Sequence, residues 1–309
     1  MTKRIAVLSG GGRNGAFQVG AMDEYFNNNG PDFDGFFGVS TGALSAAIMC
    51  QGNQRHQLTV LDFIYTQEII GNKSIYRSPP FGFLGDVYHF LLKSSIYNPV
   101  GLRSLIKQYI DPRVYTTQFG CGVTCIEDGK YYSILSDNHG ELNSAYILAS
   151  ASYPVFFPPV LIGGKHYIDG GVRRQTPLKD AVKYLVSLSD PKPVDGSVEP
   201  LELHIFLTSP LNAGFYTYDN PSALDLAFRS IDLLSTSIYI DDITSLLQYN
   251  SDPTKTFITA YLYVPLINYG DSLSFDPTTI TKIIDAGYKC KPIILSSIEG
   301  LTNYLNSLG

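Results

Sequence analysis

The sequence predicts an α/β domain with a central, mostly parallel β-sheet. Short apolar runs alternate with helical patterns from the first residues onward. A run of glycines separates the first strand from the first helix, and a glycine-flanked serine separates the second strand from the second helix. Strand, helix, strand, helix in this order implies parallel strands joined by right-handed crossovers. No segment is typical of an independent unit, so a single domain is expected.

The first four elements follow from apolar periodicity and from helix stop signals. A short run rich in Ile and Val predicts a strand at Arg4–Leu8. Apolar residues at helical spacing then begin at Ala16, and Gly30-Pro31 ends that helix. A second strand is predicted at Phe33–Val39, followed by a helix of small residues at Thr41–Cys50.

The later elements alternate less regularly. Two strands joined by a hairpin turn at Asp128-Gly129 are predicted at Val114–Glu127 and Lys130–Leu135. The remaining predictions are helices at Gln57–Ile70, Asn143–Ser152 and Ser222–Gln248, strands at Val160–Ile162, His166–Ile168, Leu201–Thr208 and Thr256–Pro265, and a last helical region that Asp276 caps, with Lys291-Pro292 as a candidate break.

The segment 71–98 differs from its surroundings, because it combines prolines and glycines with many aromatic residues. It is interpreted either as a buried hairpin or helix without a function of its own, or as a mobile flap or lid over an apolar site. The sequence leaves both interpretations open.

Composition excludes several classes of protein. Hydrophobic residues make up 44% and charged residues 16%, which suits a globular chain with a large core. The net charge is −6 and no run of Lys and Arg stands out, so nucleic acid is not expected as a partner. The composition does not indicate an oligomeric state.

The chain is expected to be cytoplasmic or peripherally attached to a membrane. The apolar run after Lys3 and Arg4 is too short for a secretory signal, and no window reaches the roughly 18 apolar residues of a membrane span. The four cysteines do not form a zinc-site pattern and are interpreted as small apolar residues in a reducing compartment. No metal and no cofactor are predicted.

A candidate nucleophile lies in Gly38-Val39-Ser40-Thr41-Gly42, a G-x-S-x-G motif between strand and helix. A serine hydroxyl is a poor nucleophile at its ordinary pKa, so it has to be presented and activated. A sharp strand-to-helix turn presents it, and the flanking glycines relieve crowding. The alternative is a tight turn that happens to contain serine.

The glycine run Gly10-Gly11-Gly12-Arg13-Asn14-Gly15 exposes backbone N–H groups that can hold an anion at a helix N-terminus. One candidate anion is the tetrahedral oxyanion of acyl transfer. The other is a dinucleotide pyrophosphate, since the run matches G-x-G-x-x-G.

Dinucleotide binding needs an acidic residue at the end of the second strand. Asp32 and Asp34 lie at its start, whereas its end carries the serine motif. The oxyanion is therefore the favoured interpretation.

Asp169 is the candidate base. Ile168-Asp169-Gly170-Gly171 follows a short strand, and the glycines allow another loop to come close. The same residues taken alone are also an ordinary turn. No histidine has a context typical of a base, and Ser40 comes too early for the Ser–acid–His order of an ordinary α/β-hydrolase. The histidines are His56, His89, His139, His166 and His204.

Together, the glycine run, the serine motif and Asp169-Gly170-Gly171 resemble the patatin-like phospholipase family. Ala149–Pro154 and Phe157-Pro158-Pro159 resemble the small-residue helix and proline turn that precede the family's aspartate. The resemblance spans nearly the whole chain. It implies one patatin-like, three-layer α/β/α domain over residues 1–309.

The resemblance also implies a lipid acyl hydrolase, of the phospholipase A or lysophospholipase type, acting on phospholipid or another acyl ester. Ser40 would attack the acyl carbon, and Asp169 would accept its proton without histidine or metal. The motif also implies an oxyanion hole and a set of supporting glycines. The implied oxyanion hole is Gly10, Gly11, Gly12 and Arg13, and the supporting residues are Gly15, Gly38, Gly42, Gly170 and Gly171.

One position departs from the family pattern. The family usually has Arg or Lys just before the last glycine of the run, where this chain has Asn14. The role of that cation is therefore in doubt or passes to Arg13. An esterase on small soluble esters and a non-catalytic lipid or dinucleotide binder stay open as alternatives.

Overall fold

A mixed β-sheet of nine strands lies at the centre of the computed structural model, which describes residues 2–80, 82–136, 143–189, 200–212, 214, 223–252 and 256–308. The strands pair in the order β5-β6-β3-β2-β1-β7-β8-β9, and β4 also pairs with β3. The inner strands from β3 to β8 are parallel, and the outer pairs are antiparallel. The predicted, mostly parallel sheet is thus confirmed. The strands are β1 (Lys3–Leu8), β2 (Gly35–Gly38), β3 (Gln118–Cys125), β4 (Tyr131–Leu135), β5 (Val160–Ile162), β6 (Lys165–Asp169), β7 (Leu201–Phe206), β8 (Ile258–Tyr263) and β9 (Ile293–Leu295).

Helices cover both faces of this sheet. They are α1 (Ala16–Asn27), α2 (Thr41–Met49), α3 (Gln54–Phe63), α4 (Phe83–Leu92), α5 (Val100–Tyr109), α6 (Asn143–Ser150), α7 (Leu178–Ser187), α8 (Ala223–Asn250), α9 (Pro277–Tyr288) and α10 (Ile298–Ser307). In the buried strand β1, Ala6 and Leu8 join the apolar cluster of α1, α2, α3, α5, α6 and α9. Ile5 and Val7 join the cluster of α7, α8 and α10 on the opposite face. The three-layer α/β/α prediction is confirmed.

Helix boundaries depend on local capping groups. α3 begins earlier than predicted, because the side chain of Asn53 accepts the N–H of His56 and caps it. Asp276 caps α9 by accepting the N–H of Thr279, as predicted. The last helical region is broken near Pro292, where the chain forms β9 against β8 before α10 begins.

The segment 71–98 contains α4, and both of its ends are held. The backbones of Arg77 and Asn98 are joined by two hydrogen bonds of 2.9 and 3.0 Å. The ring of Tyr76 stacks on Tyr97 at 4.3 Å, and its hydroxyl donates to the carbonyl of Leu273 at 3.0 Å. The base of the segment therefore packs against the domain, while a flap role for α4 stays a prediction.

Candidate active site

Strand pairing brings the predicted serine and aspartate together. Gly120 of β3 pairs with both β4 and β2, and Val123 pairs with both β4 and β6. A residue in a strand can pair with one neighbouring strand on each of its two edges. β4 occupies one edge of β3, so β2 and β6 both lie along the other edge. β2 ends at Gly38 opposite Cys121, and β6 ends at Asp169 opposite Val123. These two strands run in opposite directions, so their carboxyl ends face each other across roughly 7 Å.

Ser40 occupies a strained turn between β2 and α2. Its φ of 56° and ψ of −127° lie in a region that favours glycine. Its N–H donates to Oγ of Ser150 at 3.0 Å, and that hydroxyl donates to the carbonyl of Gly122 at 2.7 Å. A Cβ at Gly42 would overlap the carbonyl of Leu8, so this glycine is required by close packing. The strained turn is thus held by hydrogen bonds and by contact.

Asp169 ends β6 and is completely buried. Its Oδ1 accepts the N–H of Gly171 at 2.7 Å, whereas Oδ2 has no hydrogen-bond partner among the described residues. Burial raises the pKa of Asp169 to about 7, while the side chain of Ser40 and the N–H of Gly171 act in the opposite direction. A carboxyl group with this pKa can accept or release a proton near neutral pH.

One segment braces both residues. Ser150 accepts the N–H of Ser40, and the carbonyl of Ser152 accepts the N–H of Asp169 at 3.0 Å. The family resemblance indicates that Ala149–Pro154 matters. It does not reveal these two hydrogen bonds, because each joins the segment to a residue elsewhere in the chain.

The glycine run passes beside Ser40. A Cβ at Gly10 would lie 3.0 Å from Cβ of Ser40. The N–H of Gly10 donates to the carbonyl of Gln175 at 3.1 Å, and that of Arg13 donates to the carbonyl of Ser272 at 2.8 Å.

The N–H groups of Gly11 and Gly12 have no acceptor in the part of the chain that the structure describes. Their φ values of 155° and 54° need glycine. These two groups are therefore the ones in the run that are available to a bound anion.

The side chains of Arg13 and Asn14 lie in different surroundings. The guanidinium of Arg13 donates to the carbonyls of Ser274 at 2.6 Å and Tyr269 at 2.7 Å, so it clamps the segment before α9. Arg13 does not line the cleft that holds Ser40, whereas Asn14 does. In this arrangement the guanidinium of Arg13 does not replace a cation at the position of Asn14.

Ser40, Asp169 and Gly10–Gly12 line one cleft, whose empty volume is about 1340 Å³ with its open mouth included. Ile48 also lines it, and lies two turns of α2 beyond Ser40, or about 12 Å along the helix axis. Most of the wall is apolar, and it comes from α2, α3, α5 and the segments around 69–75, 151–157 and 273–275. The apolar lining residues are Leu44, Ile48, Leu61, Ile64, Tyr65, Ile69, Ile75, Leu102, Leu105, Ile106, Tyr109, Ile110, Ala151, Tyr153, Phe156, Phe157, Leu273 and Phe275.

The supporting glycines lie behind this lining. A Cβ at Gly170 would meet the carbonyl of Gly122, and one at Gly38 would meet the backbone of Gly42. A Cβ at Gly15 would meet the side chains of Thr41 and Tyr65. Gly171 contributes the N–H that Asp169 accepts. These positions keep the serine, aspartate and glycine-run loops in close contact.

Histidine is absent from the described lining of the cleft. Nδ1 of His166 lies 2.7 Å from the carboxylate of Glu127 at the surface. His204 is buried beside Tyr263, in a second cavity that does not include Ser40. His139 lies outside the described residues.

Residues that the sequence did not single out complete the site. Gln175 accepts the N–H of Gly10 through its carbonyl, and its side chain donates to Oγ of Ser235 at 3.1 Å. Ser235 and Tyr239 bring α8 to the cleft. The available signal was the spacing of Ser235, Tyr239 and Asp242, which places three polar residues on one face of α8.

Two kinds of feature are missing from the described part of the chain. No group of three or more His, Cys, Asp or Glu residues there could hold a metal ion. None of the described helices is both long enough and apolar enough to cross a membrane.

Comparison with solved structures finds distant similarity. The chain is similar to VipD from Legionella pneumophila, with 11% identity and a TM-score of 0.40 over 93% of this chain and 65% of that one. It is also similar to a chain of the complex of full-length SpcU with full-length ExoU from the type III secretion system of Pseudomonas aeruginosa, with 12% identity and a TM-score of 0.30. That match covers 99% of this chain and 58% of the other, so this chain spans less than two thirds of either.

Comparison by sequence gives the family. No curated protein matches the chain. The sequence model described as patatin-like phospholipase matches residues 6–182, which include the glycine run, the serine motif and Asp169. That match covers more than half of the chain, which therefore belongs to the patatin-like phospholipase family.

Proposed function

We propose that this protein is a lipid acyl hydrolase of the phospholipase A or lysophospholipase type, which works through a Ser40–Asp169 dyad and an acyl-enzyme. One observation carries the proposal. A strained serine, a buried carboxyl group and two N–H groups without acceptors among the described residues line the same apolar cleft. These are the three chemical parts that acyl transfer requires: nucleophile, base and oxyanion donors.

In the first step, Asp169 takes the proton of the Ser40 hydroxyl while Oγ attacks the ester carbonyl carbon. The carbonyl oxygen becomes an oxyanion, which the N–H groups of Gly11 and Gly12 stabilise. Gly10 and Arg13 belong to the same predicted hole, but their N–H groups donate to backbone carbonyls. They therefore support the loop, and Gly11 and Gly12 are the donors proposed here.

The tetrahedral intermediate then collapses. The ester C–O bond breaks, the leaving alcohol takes the proton from Asp169, and the acyl group stays on Ser40. Water attacks this acyl-enzyme while Asp169 accepts a proton from it, and the products are a free fatty acid and Ser40 with its proton restored. A pKa of about 7 suits both directions of proton transfer at neutral pH.

The shape of the cleft favours a long acyl chain. Its wall is mostly apolar, and α2, α3 and α5 all contribute to it. With carbon–carbon bonds of about 1.5 Å, an extended alkyl chain advances roughly 1.3 Å per carbon. The stretch between Ser40 and Ile48 therefore accommodates about nine carbons.

Peripheral contact with a lipid surface is part of this proposal. Leu233 and Leu234 precede the cleft-lining Ser235 and are 46% and 63% exposed. Val155 lies between the lining residues Tyr153 and Phe156 and is 47% exposed. Apolar side chains at the rim can bury themselves in the acyl region of a bilayer when substrate is extracted.

The decisive experiment is labelling with a fluorophosphonate probe, combined with hydrolysis of a phospholipid. Wild type should be labelled, Ser40→Ala should not, and Asp169→Asn should lose nearly all hydrolysis. The matched controls are Ser187→Ala and Asp285→Asn, which change exposed residues on α7 and α9. Labelling of Ser40→Ala, or full hydrolysis by either site variant, would refute the dyad.

An esterase on small soluble esters is separated by the physical state of the substrate. The hydrolysis rate of one ester is measured below and above its critical micelle concentration. For a lipid hydrolase, the rate should rise sharply once micelles form. A rate that saturates on dispersed monomers favours the small-ester esterase. Absence of both labelling and turnover in the wild type favours a non-catalytic lipid or dinucleotide binder.

A further inference from the structure

The carbonyl of Gly10 accepts from three buried hydroxyl groups, of which that of Ser9 lies 3.3 Å away. The hydroxyl of Tyr239 donates to it at 3.1 Å, and the hydroxyl of Thr208 donates to it as well. Tyr239 and Thr208 are each 1% exposed, so water does not compete for these hydrogen bonds. Both hydroxyls also contact the buried hydroxyl of Ser9, at 3.3 and 3.2 Å.

This carbonyl belongs to the same peptide unit as the N–H of Gly11. A trans peptide is planar, and its C=O and N–H point in opposite directions. Hydroxyl groups that hold the carbonyl of Gly10 on one side therefore fix the direction of the N–H of Gly11 on the other. That N–H has no acceptor among the described residues, and Gly11 lines the cleft of Ser40.

We propose that Tyr239 and Thr208 are positioning residues, which orient the N–H of Gly11 toward the oxyanion of the acyl-transfer reaction. Neither hydroxyl touches the reacting atoms, since each acts through the peptide unit between Gly10 and Gly11. The inference rests on the proposed function, because it assumes that Gly11 donates to an oxyanion.

A second contact of the same helix supports this role. Tyr239 lies on the face of α8 that also carries Ser235 and Asp242, spaced by four and three residues. Ser235 accepts from the side chain of Gln175, and Asp242 accepts from the hydroxyl of Thr176 at 2.6 Å.

Gln175 and Thr176 belong to the loop that follows Asp169-Gly170-Gly171. One face of α8 therefore holds both the loop of the oxyanion donor and the loop of the base. All of α8 lies beyond the residues 6–182 that match the family, as does Thr208. The placement of the site thus depends on the part of the chain outside the family match.

The test is steady-state hydrolysis of one acyl ester by Tyr239→Phe, which removes the hydroxyl and keeps the ring. Loss of a whole oxyanion donor lowers kcat by about 10²–10³, and a misdirected donor should lower it by roughly tenfold. KM should stay within about twofold, because the N–H of Gly11 acts mainly in the transition state. Tyr249→Phe, about 15 Å further along α8, is the matched control.

A second pair of variants removes the dependence on one substitution. Thr208→Val deletes the other hydroxyl, whereas Thr208→Ser keeps it, so the serine variant should have at least about fivefold higher kcat than the valine variant. Thermal unfolding of every variant accompanies the kinetics, so that a folding defect is recognised. A fall of kcat in the folded Tyr239→Phe protein, with hydrolysis kept by Tyr249→Phe, supports the inference.

Three outcomes overturn it while leaving the proposed function intact, provided that the wild type hydrolyses the ester. These are a kcat of folded Tyr239→Phe within about twofold of wild type, a rise in KM without loss of kcat, and equal kcat values for Thr208→Val and Thr208→Ser. A wild type that neither hydrolyses the ester nor reacts with a fluorophosphonate refutes the proposed function instead.

Discussion

Replacing Asp169 by asparagine is expected to stabilise the folded protein above neutral pH while it removes activity. Burial raises the pKa of Asp169 from 3.8 to about 7, so the folded protein favours the protonated carboxyl group. The unfolded chain, in contrast, releases this proton near pH 4. The contribution of the protonated form to stability is therefore complete below about pH 4 and is lost as pH rises through about 7. Asparagine cannot ionise, so its variant avoids that loss.

The magnitude follows from the same pKa values. Each pH unit between the two pKa values corresponds to about 1.4 kcal/mol, which gives about 4 kcal/mol in total above pH 7. Urea unfolding of wild type and Asp169→Asn between pH 4.5 and 8.5 measures it. The difference in free energy of unfolding should grow in favour of the variant and become constant above about pH 7.

The substitution also changes the free energy of unfolding by an amount that does not vary with pH. The test therefore depends only on how the difference between variant and wild type changes with pH. Asp285→Asn on the surface of α9 is the control, and its difference from wild type should change little over the range. A difference between Asp169→Asn and wild type that stays flat from pH 4.5 to 8.5 would refute a raised pKa. It would also remove the physical reason for assigning Asp169 as the base.

Four further outcomes are expected. The kcat/KM of the wild type should fall about tenfold per pH unit below about pH 7, as Asp169 becomes protonated, and a rate independent of pH between 5 and 7 contradicts this. The free energy of unfolding of Ser40→Gly should exceed that of Ser40→Ala by about 1 kcal/mol, because the backbone of this turn favours glycine. Equal free energies from urea unfolding would mean that no strain is present. Ser150→Ala leaves the N–H of Ser40 without its acceptor. The free energy of unfolding should therefore drop by about 1–2 kcal/mol, and kcat should fall by about tenfold. An unchanged kcat would contradict the bracing role of Ser150. Ile48→Phe narrows the cleft, and a competition assay between long-chain and short-chain esters should show about tenfold lower kcat/KM for the long chain only.

The sequence alone determined the order of the first four strands and helices and the location of the three motifs, whereas α5 and α7 were not predicted. Apolar runs and stop signals are local features, and they placed β1, α1, β2 and α2 within a few residues of their observed bounds. The sharp turn at Ser40 was also predictable, because a strand, a glycine-flanked serine and a small-residue helix follow one another directly.

Tertiary structure decided how those motifs meet. Ser40 and Asp169 come together because β2 and β6 share one edge of β3, and no local pattern specifies that edge. Hydrogen bonds from distant residues likewise decided which N–H groups of the glycine run stay available. The N–H of Gly10 donates to Gln175, while those of Gly11 and Gly12 have no acceptor among the described residues.

The directions of individual side chains were also beyond the sequence. Arg13 stands next to Asn14, yet its guanidinium is held by carbonyls of Tyr269 and Ser274 and not at the cleft. Tyr239 reaches the carbonyl of Gly10 from a helix near the other end of the chain. The physical reason is common to both cases: a buried polar group must find its hydrogen-bond partner in space, and the chain order of residues does not reveal that partner.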